Sequence, residues 1–318
     1  MTRIGVTGGA GFVGTNLVRA LLQNGFEVSI LDDFTTGMKS NLANLDSKVY
    51  EGSITDMKLV AKAFSDCEYI FHLAARGSVP RSIRNPRATM DINLWGTLNV
   101  LETARNSGAT VAFSSSSSVY GSNLELPKNE RMWMAPITPY AASKLAGEAL
   151  VASYAASFGV SAITYRFFNI FGPWQRPDHA YAAVIPKWIW NLMQSKEIEV
   201  FGDGSQSRDF TFIDTVVSVL IQGMKDKVNH PNPINLAHGF RISLNQCIDA
   251  LRIKFPKLQV RYLPERAGDV KDSQNDPTLF KSIFPLIKPL DFSEALDNTC
   301  QWFLDHGSTI ANGPRVID

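Results

Sequence analysis

Tyr140 and Lys144 stand four residues apart in Tyr140-Ala141-Ala142-Ser143-Lys144. On a helix that spacing puts both side chains on one face, where the Lys144 ammonium can stabilise the Tyr140 phenolate. A tyrosine that ordinarily titrates near pKa ~10 then works as a base near neutral pH. The spacing alone is common in helices, and it gains weight from a segment far upstream. Thr7-Gly8-Gly9-Ala10-Gly11-Phe12-Val13-Gly14 reads G-x-x-G-x-x-G between a strand pattern and a helix pattern. Gly8 and Gly11 let the backbone turn tightly and approach a pyrophosphate, and Gly14 lets the helix pack close to the strand. The helix N-terminus faces the negative charge. At the end of the second apolar run, Ile30-Leu31-Asp32-Asp33, a carboxylate accepts hydrogen bonds from ribose hydroxyls and repels a 2′-phosphate. Asp32 therefore points to NAD rather than NADP, with Asp33 open to a loop or helix-cap role.

These residues need a scaffold, and the first half of the chain alternates short apolar runs with helical patterns, the signature of βαβ units. The expected fold is α/β, a Rossmann-type doubly wound parallel sheet with a smaller C-terminal α/β lobe. Expected strands are Arg3 to Thr7, Glu27 to Leu31, Lys48 to Glu51, Tyr69 to Leu73, Thr110 to Ser114 and Ser161 to Arg166. Helix-length stretches include Phe12 to Asn24, Arg87 to Asn106 and Pro139 to Phe158, the last stopped by Gly159. After about Arg166 turn formers crowd in, as in Phe171 to Asp178, and shorter helices are expected at Tyr181 to Gln194, Phe212 to Met224, Leu244 to Phe255 and Phe292 to Phe303. Residues 1–166 are thus read as the dinucleotide-binding domain carrying the catalytic side chains. Residues 167–318 are read mainly as a substrate lobe, with interleaving of the two open. The serine run Ser114 to Ser118 ends an apolar strand, at the carboxyl end where an α/β sheet binds ligands.

Composition narrows the partners. With 31 Lys+Arg against 30 Asp+Glu in 318 residues the net charge is +1, which argues against a nucleic-acid or anionic-membrane partner. Cys67, Cys247 and Cys300 are far apart and fit neither a disulfide scaffold nor a zinc site, so no metal is expected. No apolar run reaches the roughly 18 residues of a membrane span and no signal-peptide pattern opens the chain, so a soluble cytoplasmic protein is expected.

Taken together, Thr7 to Gly14, Phe71-His72-Leu73-Ala74-Ala75, Ser114 to Gly121, Tyr140 with Lys144, and Arg166-Phe167-Phe168-Asn169 through Gly172-Pro173 resemble the extended short-chain dehydrogenase/reductase family. Within it the chain looks like the nucleotide-sugar 4-epimerases, from residue 1 to about 305. The resemblance implies Ser116 as the hydroxyl partner of the tyrosine, four residues before Tyr120. It implies cofactor contacts at Gly8, Gly11, Phe12, Val13, Gly14, Asp32, Ile54, Leu73, Ala74, Ala75, Asn93 and Ser114, besides Tyr140 and Lys144. Sugar 4,6-dehydratases carry Asp-Glu after that hydroxyl residue and UDP-glucuronate decarboxylases a Glu; Ser117-Ser118 here supplies no carboxyl acid or base, which favours simple epimerisation.

The resemblance to UDP-N-acetylglucosamine 4-epimerases implies sugar contacts at Gly77, Ser78, Asn169 and Gln175, and at Ser273, a small residue that leaves room for an N-acetyl group. Val184 to Trp188 would lie near the uridine, and Arg208 and Arg266 would hold the diphosphate with planar bidentate donors. The implied reaction uses NAD as a recycled catalyst: Tyr140 removes the 4-OH proton as C4 hydride leaves, Ser116 holds the oxygen, and hydride returns to the other face of a 4-keto sugar. UDP-glucose and the N-acetylhexosamine pair are the first substrates implied. The turn from Pro173 to Asp178 also resembles UDP-glucuronate 4-epimerases. A dehydratase or reductase, a non-enzymatic NAD-sensing module and an interaction scaffold stay open. Relatives are usually homodimers through the helices around residues 87 to 107 and 139 to 158, so a homodimer is expected. Ser53 stands where relatives often have an adenine-contacting Asp. Arg76 has no obvious counterpart, with a local ion pair or a phosphate contact both open to it; His72 is expected to pack or cap rather than act as a base.

Overall fold

The computed structural model describes residues 2–178, 183–265 and 272–311, with side chains through residue 307. Six parallel strands follow the alternation expected: β1 Arg3–Thr7, β2 Glu27–Asp32, β3 Lys48–Glu51, β4 Tyr69–His72, β5 Thr110–Ser116 and β6 Ala162–Phe167. A seventh, Ile234–Leu236, lies beside β6 and pairs Ile234 with Tyr165. The sheet order is seventh strand, β6, β5, β4, β1, β2, β3. The chain therefore winds outward in both directions from β1, and the crevice between β1 and β4 is the switch point where such sheets bind ligands. Both faces of the sheet are covered, so its central strands are continuous apolar runs: Ile4, Val6, Ile30, Phe71 and Val111 are all fully buried.

Helices α1 Phe12–Gln23, α2 Met57–Phe64, α3 Val79–Arg84, α4 Pro86–Met90, α5 Gly96–Ser107 and α6 Pro139–Phe158 connect these strands. One core joins α1 to residues of the later lobe, and a second joins α2, α5 and α6 on the opposite face. The stretch from Arg87 to Asn106 is not the single helix expected. It breaks into α4, a π-helical turn at Asp91–Trp95, and α5. A π turn inserts one residue and re-aims the side chains it carries. Here it turns Asn93 inward, where Oδ1 accepts the Arg76 N–H at 2.7 Å and Nδ2 donates to the Ser143 hydroxyl at 2.8 Å.

Beyond residue 167 come α7 Val184–Met193, α8 Ile213–Lys225, α9 Leu244–Lys254, α10 Thr278–Ile283 and α11 Phe292–Ala311. Short ladders join them, among them Ile170–Phe171 with Thr211–Phe212 and Ser207–Arg208 with Ile242–Ser243. Phe171, Phe210, Phe212 and Phe292 pack ring against ring beneath these ladders. Residues 167–318 thus supply both a strand of the main sheet and the lobe. The first residues of the expected helix at Tyr181 lie outside the described residues. All three cysteines are buried and free, and burial pushes Cys67 and Cys300 up to about 12, which leaves them as inert core thiols. Among the described residues no helix is long and apolar enough to cross a membrane, and no cluster of side chains could hold a metal ion.

Candidate active site

The glycine segment folds as its spacing demands. Gly8 takes φ +72, and a Cβ there would come within 2.8 Å of the Ala74 nitrogen, so the turns after β1 and β4 touch. A Cβ on Gly14 would lie 2.1 Å from the Gly8 carbonyl oxygen, which seats α1 directly against that turn. Gly11 N-caps α1, and Phe12 and Val13 open it, leaving the helix N-terminus beside the crevice. Gly14→Ala is expected to cost about 1–3 kcal/mol of stability through overpacking and to lower NAD retention. Urea unfolding and the nucleotide content of purified protein check this; wild-type values in both would refute the cradle.

Asp32 ends β2 at the same cleft, with Oδ2 accepting the Ala10 N–H at 2.8 Å and Oδ1 the Phe34 N–H at 2.8 Å. Burial raises its pKa, and these two backbone donors oppose the rise. A carboxylate offers about four acceptor sites, so two remain for ribose hydroxyls. Gly8, Gly11, Ile54, Leu73, Ala74 and Ala75 line the cleft with Asp32. So do Asp33, Thr35 and Thr36, which sequence reasoning did not assign to it. Their signal was the Thr35-Thr36-Gly37 turn: a Cβ on Gly37 would lie 2.7 Å from the Ala10 carbonyl carbon, so this loop must fold against the glycine turn. Ser53 is taken up in a local turn, its Oγ accepting the Thr55 N–H at 3.2 Å.

Two expected cofactor contacts have their side chains engaged between elements. Asn93 bridges the loop after β4 to α6 as described. The Ser114 hydroxyl donates to the His72 carbonyl at 3.0 Å, tying β5 to β4. His72 itself is fully enclosed, its Nδ1 2.8 Å from the Thr7 hydroxyl and its Nε2 2.9 Å from the Thr97 hydroxyl. Thr97 donates its own proton to the Asn93 carbonyl at 2.6 Å, so it accepts from His72 Nε2–H. The Thr7 hydroxyl accepts the Leu73 and Ala74 N–H groups and donates to Nδ1. With both ring nitrogens satisfied and burial lowering its pKa to about 3, His72 is a neutral crossbar.

The side chains expected to be catalytic stand where β5 ends and α6 begins. Ser116 closes β5 and caps the turn Ser117–Tyr120 by accepting the Ser118 N–H at 3.2 Å. Thr138 N-caps α6 and Pro139 opens it, which places Tyr140 in the first turn. Ser116 stands beside the Tyr140 phenol; burial raises the phenol's pKa, and the serine hydroxyl opposes the rise. Lys144 lies one turn on, buried, its Nζ 2.7 Å from the Ser114 carbonyl oxygen and 5.1 Å from the Phe113 ring centre. Burial lowers its pKa to about 7, and the carboxylate of Glu148, a further turn along, opposes that. The Lys144 ammonium thus donates to the strand carbonyl one turn along the helix from the Tyr140 phenol, and Ser116 stands beside that phenol.

Sequence reasoning missed what lies behind this row. Arg166, on β6, donates from Nε to Glu148 Oε1 at 2.8 Å and from Nη2 to Oε2 at 2.7 Å, a fully buried bidentate pair. The available signal was the helical spacing of Tyr140, Lys144 and Glu148 on one face.

The substrate residues expected in the second lobe gather around Ser207–Arg208. Asn169 donates to the Asp209 carbonyl at 3.4 Å, Arg208 Nη1 to the Ser207 carbonyl at 2.9 Å, and the Ser273 N–H to that same carbonyl at 3.1 Å. Gln175 donates to the Ile170 carbonyl at 3.1 Å, while its buried Oε1 has no partner. Asp209, fully buried, accepts the Gly239 and Asn275 N–H groups, and burial raises its pKa to about 7. Ser78 caps α3 by accepting the Arg81 N–H at 3.3 Å, whereas a Cβ on Gly77 would meet nothing within 4 Å. Val184 opens α7. Arg266 lies outside the described residues.

A doubly wound parallel sheet with a glycine cradle at its switch point, and a serine, tyrosine and lysine at the neighbouring strand end, defines a short-chain dehydrogenase/reductase architecture. The family model described as the NAD dependent epimerase/dehydratase family matches residues 4–237, and the chain belongs to that family. NAD is accordingly its cofactor, and the cradle fits it: only glycine is tolerated at the two close approaches of Gly8 and Gly14, and Asp32 keeps acceptor capacity at the cleft.

The chain is similar over its length to several solved and curated relatives. A UDP-N-acetylglucosamine 4-epimerase from Methanobrevibacter ruminantium, solved with UDP-N-acetylmuramic acid, is 34% identical with a TM-score of 0.91, covering 96% of this chain and 99% of that one. A UDP-glucose 4-epimerase from Thermotoga maritima, solved with UDP-glucose, is 32% identical with a TM-score of 0.89, over 96% and 99%. A UDP-glucuronate 4-epimerase from Thermodesulfobacterium geofontis is 32% identical over 93% of this chain and 94% of its own.

Proposed function

We propose that this chain interconverts a UDP-hexose and its 4-epimer, with the UDP-glucose/galactose pair or the UDP-N-acetylhexosamine pair as its substrate and NAD kept bound through the cycle. The observation that carries the reading is the placing of Ser116, at the end of β5, beside Tyr140, in the first turn of α6, with Ser117-Ser118 following where elimination chemistry would need carboxyl groups. Similarity to relatives named as 4-epimerases supports it.

NAD, when bound, would supply reversible hydride transfer at C4 of the sugar. The chain's own residues do the rest. Tyr140 takes the 4-OH proton and later returns it, and Ser116 holds that oxygen in line with the phenol. Lys144, fixed by the Ser114 carbonyl, is placed to hold the cofactor ribose. Arg208 and Arg266 keep the UDP anchored while the sugar turns its other face to the cofactor. Residues 1–166 mainly serve NAD and 167–318 the nucleotide sugar, in a cytoplasmic homodimer built on α4, α5 and α6.

The test is incubation of purified protein, without added reductant, with UDP-glucose, UDP-N-acetylglucosamine and UDP-glucuronate separately, following the sugar H4 couplings by proton NMR. A galacto-configured product from one of the first two is expected. The glucuronate relative and the Pro173 to Asp178 turn favour the second reading, in which only UDP-glucuronate reacts. Released 4-keto product would sink both and indicate a dehydratase.

A further inference from the structure

The loop after β4 carries an arginine that the reaction above leaves unused. Asn93 grips the Arg76 backbone on both sides, accepting from its N–H at 2.7 Å and donating to its carbonyl at 3.5 Å. The backbone is therefore fixed, and the side chain lines the cofactor cleft together with Gly8 and Gly11. Arg76 Nε is sealed from solvent and has no hydrogen-bond partner. Among the described residues no carboxylate pairs with its guanidinium. The two acids that line the cleft are otherwise engaged. Asp32 accepts the Ala10 and Phe34 N–H groups, and Asp33 accepts the Thr35 N–H at 3.0 Å and its hydroxyl at 2.6 Å.

A guanidinium drawn partly out of water costs free energy unless an anion meets it. The protein offers none here, and the cofactor brings one: a diphosphate, directed to the Gly8–Gly11 turn and the α1 N-terminus. A planar fork of donors suits phosphate oxygens. We propose that Arg76 is the side-chain counterion of the NAD diphosphate and slows loss of the cofactor between turnovers. The proposal rests on the NAD dependence of the family and is independent of which sugar reacts.

Arg76→Leu and Arg76→Lys are compared with wild type by calorimetric titration with NAD, ADP-ribose and adenosine, at low and high salt. With a charged hydrogen bond at stake, Arg76→Leu is expected to weaken NAD and ADP-ribose by about 10–100-fold while adenosine affinity stays put. Arg76→Lys should fall between, and the gap between wild type and Arg76→Leu should narrow as salt rises. The melting temperature of cofactor-free Arg76→Leu should be no lower than wild type, because the change removes a charge without a partner. Equal NAD affinity in wild type and Arg76→Leu overturns the proposal. So does an equal loss for adenosine and ADP-ribose, which signals a damaged fold. Unchanged NAD affinity with a raised KM for UDP-sugar assigns the arginine to the substrate and overturns it equally. The NAD, ADP-ribose and adenosine affinities are read whether or not the 4-epimerase assignment holds.

Discussion

Tyr140→Phe should lower kcat by about 10²–10⁴-fold, the range that a positioned general acid/base contributes, while NAD content and melting temperature stay near wild type. Phenylalanine keeps the ring that packs in the first turn of α6 and removes only the oxygen that meets Ser116. The residues that line the cleft lie mainly at the end of β2 and in the turns after β1, β2, β3 and β4, and are untouched. Progress curves by NMR decide the matter; a variant that keeps a tenth or more of the activity would show that another group moves the proton. Ser116→Ala provides the companion sign. Burial holds the Tyr140 phenol above its ordinary range and the neighbouring Ser116 hydroxyl brings it down. Without that hydroxyl the rise of activity with pH should move to higher pH.

Glu148→Gln should destabilise the fold by about 3–5 kcal/mol, the cost of leaving one member of a buried ion pair alone. Glu148 takes both ends of the Arg166 fork and the Ser115 hydroxyl. Arg166 passes on to the Tyr120 hydroxyl at 3.0 Å, and Tyr120 to Asn235 Oδ1 at 2.8 Å, so the pair joins β5, β6, α6 and the seventh strand. Arg166→Met should cost a similar amount. A Glu148→Leu, Arg166→Met double variant should lose less than the two single losses added together, because no charge is stranded. Urea midpoints measure all three, and single losses below about 1 kcal/mol would remove the network from the stability account.

The same substitution reaches the active site. Glu148 opposes the burial that brings Lys144 to about 7, so its neutralisation should drop Lys144 further. The folded chain binds fewer protons than the unfolded one between that value and the ordinary 10.5. Stability from this residue therefore grows as pH rises through the window, and the window widens downward in the variant.

Much of this was legible in the chain. The six strands of the first half were marked by β-rich apolar runs bounded by turn residues, and each stands within two residues of its expected limits. The glycine spacing located the cleft because close backbone approach leaves no alternative residue. The seventh strand was not legible: Ile234–Leu236 is three residues long and pairs with β6 only through tertiary packing. The π turn was hidden for a related reason. Its residues keep a helical pattern, and only the demand of Asn93 to reach Arg76 and Ser143 at once shifts the register. Tyr140 and Lys144 were legible from their spacing and Ser116 from the family resemblance, but the Ser114 carbonyl as acceptor of the Lys144 ammonium was not, since helical periodicity places a side chain on a face without naming its partner.

The His72 crossbar bears on what acid does to this molecule. Its ring is held neutral and free of titration down to about 3, so the links among β1, β4 and the π turn keep one arrangement throughout the neutral range. An unfolded histidine takes up a proton near 6.5, and below that point protons favour the open chain over the closed one. Moderate acidity therefore meets a joint that cannot yield in part. It ties the ends of β1 and β4 to α5 through Thr7 and Thr97, and acid acts on that tie through the unfolded chain's affinity for protons.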